Sequence, residues 1–326
     1  MQCRNDRDPF MRRITRDKIS YFFTADAEPV LSIRPPETVI VETQDSTSGI
    51  LEKESDILPS TDELTKMGIG GINPVTGPIF VEGADPGDCL VVDIREIKCG
   101  AYGICTLGPG LGGLSGPYSV QPPVPARTKI CPIEDGRVLF PIKTGKHIEL
   151  PLRPIIGTIG VAPRVEKIAT AWHGQEHCGN VDSPDIAPGN KVVLRANVSG
   201  GLLSLGDIAA ITGDGELCIS HIDTTSETTI AVDLVKKEDA RYMNWPQIEL
   251  PDSIGSIGCP MSGSLDDAYR AAYSDLVQRM EKFYGFDLLE AYQLVSCVGE
   301  VRVNQGIDPS WYCCTAKIMK RFLQPR

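Results

Sequence analysis

The stretch PIFVEGADPGDCLVVDIREI, residues 78–97, decides the fold class. Two β-branched apolar runs, 78–83 and 89–97, stand on either side of Pro86-Gly87-Asp88, and such runs bounded by turn residues read as strands. The pattern recurs along the chain. ETVIVET (37–43), KVVLRANV (191–198) and TTIAVDLV (228–235) are further strand candidates, and Pro188-Gly189-Asn190 and Leu205-Gly206-Asp207 each precede an apolar run. Hairpins in series build sandwiches and barrels, not βαβ repeats. With 32 Gly and 25 Pro spread throughout, the body is expected to be mainly β, a β-sandwich or barrel-like fold.

Helical periodicity enters near the end. SLDDAYRAAYSDLVQRMEKFYG (264–285) offers Ser264 as N-cap and Asp267 for a capping box. It sets Leu265, Ala268, Ala272, Leu276 and Met280 on one face and stops at Gly285. DLLEAYQLVSC (287–297) repeats the logic with Asp287 and Glu290, and short strands are expected in 299–305 and 313–320. A small C-terminal α/β part follows. Three regions are expected: 1–160, β-rich; 161–250, β-rich and carrying the site motifs; and 251–326, α/β. The Gly- and Pro-rich stretch 98–136 reads as an irregular loop over a site or at a subunit contact.

A formal net charge of -11 argues against nucleic acid or an anionic membrane surface as the main partner, because both repel an acidic protein. No apolar run long enough for a membrane span is present, and MQCRNDRDPFMRRITRDK lacks the apolar segment of a secretory leader. The 11 cysteines include no C-x-x-C pair and suit reduced thiols, so a cytoplasmic protein is expected.

Chemistry concentrates in residues 176–218. If GDGELC is extended, Asp214 and Glu216 share a face, as do residues 207 and 209 of GDIAA, and neighbouring strands bring the carboxylates together. Carboxylates left close together need protons or a cation. With the imidazole of His177, a mixed His/Asp/Glu set suits zinc or a similar divalent ion. The same spacing also reads as Asx-type turns at Asp207 and Asp214 and a solvated strand residue at Glu216. His173 and His221 are spare imidazoles nearby. GPGLGG (108–113) lacks the following helix of a phosphate loop, no G-x-S-x-G elbow is present, and Cys178 beside His177 points to the opposite strand face.

In these residues the chain resembles the acetamidase/formamidase family. The series runs through VETQDSTSG (41–49), NPVTGPIFVEGADPGDCLVVDI (73–94), PIIGTIGVAP (154–163), HCGNVD (177–182), GGLLSLGD (200–207), GDGELC (213–218) and the tail from LDDAYRAAYSDL to GEVRVNQGIDP. The resemblance implies a mainly β, metal-linked homo-oligomer, a dimer or higher, that hydrolyses linear amides of the formamide or acetamide kind to a carboxylate and ammonia. It implies Asp45, His177, Asp207 and Asp182 around the metal, with zinc expected and calcium at a second site. Glu216 is implied as base, Asn180 as a polar contact, and Glu82 and Asp214 as supporting acids. The chain departs from the family pattern where G-G-N-M-D and G-D-x-H-A are expected: it has CGNVD and GDIAA, so Ala209 stands where a His is implied. The early His and Trp expected within 19–30 are also missing. Those departures raise two other readings: a small-molecule binding protein that has lost hydrolysis, or a hydrolase of a larger or cyclic amide.

Overall fold

The computed structural model describes residues 11–108, 110–114, 124–165, 167–242, 244–307 and 311–324. Its body is two open sheets. The nine-stranded sheet runs Arg12–Ile14, Glu37–Thr43, Ser226–Val235, Cys89–Cys99, Lys191–Arg195, Gln247–Glu249, Ser253–Gly258, Trp311–Met319 and Glu300–Ile307, antiparallel throughout except for its first pair. Its strands come from all three sequence regions, and the sheet is continuous across them. The twelve-stranded sheet is centred on Leu203–Ala209, which pairs with Ile155–Gly160 on one edge and with Val75–Val81 and Asp223–Thr224 on the other.

The inward residues of both sheets form one core. Val39, Leu90, Val92, Ile94, Ile230 and Val232 of the first sheet meet Ile79, Ile156, Ile159, Leu203, Leu205 and Ile208 of the second, all essentially inaccessible to solvent. Burial of that apolar area is the main force holding the sheets together. The strands expected at 37–43, 78–83 and 89–97 lie in this sandwich, as do those expected at 191–198 and 228–235. Asp88 shows the turn chemistry at work: it is buried and accepts from Asp85 N at 2.9 Å and from Lys237 N at 2.9 Å.

The C-terminal helices form as the capping pattern predicts. Leu265–Tyr284 has a complete Ser264/Asp267 capping box and ends at a left-handed Gly285, and Leu288–Val298 is capped by Asp287 with Glu290. Both cover the far end of the nine-stranded sheet through a second core that includes Ala268, Ala272, Leu276, Met280, Ala291 and Val295. Leu265 is the exception on the predicted face, since it is exposed. Gly258 allows the close approach, because a Cβ there would meet Ala268 O at 2.2 Å.

Local details differ from the expectations in part. Stretch 98–136 holds a hairpin of Tyr102–Leu107 with Arg127–Glu134, and the long connection between them brings Leu111 to the wall of a cavity, as expected of a loop over a site, while 109 and 115–123 lie outside the described residues. Residues 1–10 of the N-terminal segment also lie outside them. Leu205-Gly206-Asp207 is not a turn: it runs through the middle of a fully buried strand. A short helix at Thr61–Lys66, capped by Ser60 and Glu63, adds to those expected. No helix among the described residues is long and apolar enough to cross a membrane.

Candidate functional site

The central strand Leu203–Ala209 changes partner at Asp207. Gly206 pairs with Val75, Ile208 pairs with Thr224, and Asp207 faces the gap between the two partners with φ 54°. A left-handed φ re-aims its side chain out of the strand alternation. Asn73 Nδ2 donates to Asp207 Oδ2 at 2.8 Å, and Thr158 Oγ1 donates to it at 3.1 Å.

Around this gap the fold gathers four acids and one imidazole, all buried: Asp182, Asp207, Glu216, Asp223 and His221. His221 Nε2 lies 3.7 Å from Asp207 Oδ1 and 2.9 Å from Asp223 Oδ1. On the other side of the ring, Nδ1 lies 3.7 Å from Asp182 Oδ1 and 3.8 Å from Glu216 Oε1. Asp182, Asp207 and Glu216 all have positive φ (42°, 54° and 43°), a conformation that costs on the order of 1–3 kcal/mol each and clusters at functional sites. The site is therefore strained as well as charged.

Charge and burial set the protonation. Burial pushes the Asp207 carboxyl up to about 7, helped by the charge of Asp182. Burial raises Asp182 too, and Glu216 well above the carboxylate range, with the neighbouring Asp182 adding to the latter. Burial also works against ionised Asp223, but His221 outweighs it and holds this carboxyl low. The same partnership raises His221 well above an ordinary imidazole, against its own desolvation. Acids this close, removed from water, hold protons or a cation.

The geometry fits a cation. One donor atom each from Asp182, Asp207 and His221 lies within 4.8 Å of the others, the one such group of three or more His, Cys, Asp or Glu among the described residues. Metal–ligand bonds of about 2.0–2.2 Å put two ligand atoms roughly 3–4 Å apart, so a small inward movement of the three side chains would complete the set. Asp182 Oδ1 and both His221 ring nitrogens are buried without a hydrogen-bond partner. Gly157 forms the floor: a Cβ there would stand 2.4 Å from Asp182 Oδ1 and 3.0 Å from Asp207 Oδ2.

A cavity of about 110 Å³ opens onto this cluster. Asn73, Asn180, Asp207, Glu216, Asp223 and Gln305 supply its polar wall, and Leu58, Ile72, Leu111, Ile219 and Ile307 its apolar wall. No lysine or arginine lines it among the described residues. Ser220 orients Asp223, donating to Oδ2 at 2.9 Å.

Of the residues singled out in the sequence, Asp182, Asp207, Glu216 and Asn180 come together here. The other four lie elsewhere. His177 is buried against Phe23, ring centroids 5.4 Å apart, with Nε2 3.4 Å from Trp172 O, and burial lowers it to about 4. Asp45 Oδ1 accepts from Thr47 N, Thr47 Oγ1 and Gly49 N, closing its own turn. Asp214 is exposed and pairs with Arg302 Nε at 2.8 Å, and Glu82 pairs with Arg34 Nε at 2.7 Å on the surface. GDGELC is a turn, not a strand: Gly215 and Glu216 are left-handed, so alternation fails and only Glu216 points inward. The imidazole comes from His221, while Ala209 is buried and pairs with Asp223.

The acetamidase/formamidase family model matches residues 13–119 and 155–323. The chain belongs to that family. Its fold superposes on an acetamidase from Bacillus halodurans with a TM-score of 0.84, at 31% identity over 95% of this chain and 98% of the other. An acetamidase from Yersinia enterocolitica gives 0.85 at 33%, covering 98% and 95%. A formamidase from Methylophilus methylotrophus is 23% identical over 275 residues, 67% of this chain and 64% of that protein. Family membership makes the chain an amidohydrolase of this type.

Asn73, Gly157, His221, Asp223 and Gln305 complete the site. His221 and Asp223 alternate in SHIDTT, a signal the sequence does carry. The others have no local signature.

Proposed function

We propose that this protein hydrolyses small, neutral, linear amides with a divalent cation, zinc by the donor set, held by Asp182, Asp207 and His221. The convergence of those three buried side chains, of which Asp207 lines a cavity of about 110 Å³ together with Glu216, carries the reading. Bound there, the cation would supply Lewis-acid activation for attack of water on the amide carbonyl near neutral pH.

The chain's own groups do the rest. Glu216 takes a proton from the attacking water and returns one to the nitrogen as the C–N bond breaks, giving a carboxylic acid and ammonia. Its burial beside Asp182 favours the protonated form that makes the second transfer, and the charge of a bound cation would favour the ionised form that the first one needs. Asn180 uses one Nδ2 hydrogen on Ala171 O at 3.2 Å and keeps another for the substrate carbonyl oxygen. Asn73 and Thr158 hold Asp207, and Asp223 keeps His221 oriented. A carboxylate-bearing substrate would enter a cavity that already holds acids and offers no lysine or arginine, so neutral amides are favoured.

Ala209 does not argue for a binding protein without turnover, because His221 supplies the imidazole of the cluster. The two acetamidases and the formamidase above suggest the substrates to try. Ammonia release from formamide and acetamide, abolished by chelation and restored by zinc, is the expected result. Release unaffected by removing all metal would refute the cation's part, and no release from any small amide would refute the function.

A further inference from the structure

Gln305 is 1% exposed and lies in the cavity wall, on a strand of the C-terminal α/β part. A register shift between Val303 and Gln305 breaks the alternation of Glu300–Ile307, so that Asn304 and Gln305 are both buried. Its Nε2 donates to Asp182 Oδ2 and also lies 3.4 Å from Glu216 Oε2. The side-chain amide thus turns its NH₂ toward two carboxyl groups, the arrangement in which both can accept from it. The other end, Oε1, is buried and has no hydrogen-bond partner. A buried carbonyl oxygen without a donor is costly, and an N–H brought beside it from the adjoining cavity would relieve that cost.

We propose that Gln305 is the specificity-determining residue that accepts an N–H of the substrate's NH₂ group through Oε1, selecting amides over esters. The inference rests on the amide-hydrolase reading. It adds the one contact that reading lacks: an acceptor for the nitrogen end of the substrate. Because Nε2 of the same side chain touches Glu216, the acceptor sits beside the group that returns the proton to that nitrogen. An ester of the same size presents no N–H and leaves Oε1 unpaired, which is the arrangement by which a polar site rejects an analogue.

A purely structural role is the competing account, since the same strand holds the Glu216 turn through Gly215 N to Val303 O at 2.7 Å and Gly306 N to Gly215 O at 2.8 Å. The test compares hydrolysis of acetamide and methyl acetate by wild type and Gln305→Met. Loss of the acceptor predicts that kcat/KM falls about ten- to a hundredfold further on acetamide than on methyl acetate. Equal losses on both would overturn the assignment and leave the amide-hydrolase reading standing. A wild type inactive on both would overturn that reading and this inference with it. If Gln305→Met does not fold, wild type suffices. Acetone, with a methyl in place of the NH₂, should inhibit competitively with a constant about tenfold or more above the dissociation constant of acetamide; equal constants would overturn the proposal.

Discussion

His221 Nε2 lies 2.9 Å from Asp223 Oδ1, both side chains buried, without the N–H···O alignment of a hydrogen bond. Asp223 thus sits against one edge of the ring, and Asp182, Asp207 and His221 are the group whose donor atoms lie close enough together to hold a cation. His221→Ala should lower turnover by about a hundredfold or more. His177→Ala, which opens a hole against Phe23, should lower stability and leave metal content unchanged. Parallel measurement of metal and activity in the two variants checks this; metal loss in His177→Ala alone would contradict it.

Gly157→Ala is the smallest change that invades the cluster. The added Cβ would fall 2.4 Å from Asp182 Oδ1 and 2.7 Å from the Asp207 carbonyl oxygen, and the latter is backbone that cannot swing aside. A cost of about 1–3 kcal/mol in stability is expected, with loss of bound metal. Thermal unfolding and elemental analysis of the variant check both; a wild-type metal content would mean that the two carboxylates do not act together.

Two acids close in sequence should behave oppositely. Glu216 is buried at the cluster and Asp214 is exposed beside Arg302, a surface pair whose loss changes little. Glu216→Gln should reduce kcat by about a hundredfold, whereas Asp214→Asn should stay within about twofold. Steady-state kinetics decide, and comparable losses in both would remove Glu216 from its role as proton carrier.

Acid should weaken the fold through a second imidazole. His177 is held neutral by burial, its pKa lowered from 6.5 to about 4. A depressed folded value means that the unfolded chain binds the proton first as pH falls. The stability this group contributes is therefore complete above pH 6.5 and is lost on the way down to about 4. The loss is on the order of 3 kcal/mol. Urea unfolding at several pH values should give a shallower slope for His177→Gln than for wild type across that window; identical slopes would contradict it.

How much of this was legible in the sequence depended on the range of the interaction. Caps act over three residues, so Ser264, Asp267, Asp287 and Glu290 announced their helices, and β-branched runs ending at Pro-Gly turns announced the sandwich. In the site, Asp182, Asp207, Glu216 and Asn180 were legible through family motifs. Alternation misled at GDGELC, because left-handed Glu216 turns inward while Asp214 turns to Arg302. His177 sits in the expected motif, but its ring packs on Phe23 instead of facing the acids. Gln305 reaches Asp182 from 123 residues away, and only the sheet topology and a register shift bring them together.

The most direct test of the central claim is elemental analysis of bound metal per chain in the wild type beside His221→Ala and Asp207→Asn, each purified without added chelator. The account predicts close to one divalent ion per chain in the wild type and a large loss in both variants. Wild-type metal content in folded His221→Ala and Asp207→Asn would contradict it, as would a wild type that takes up no divalent ion when zinc is supplied.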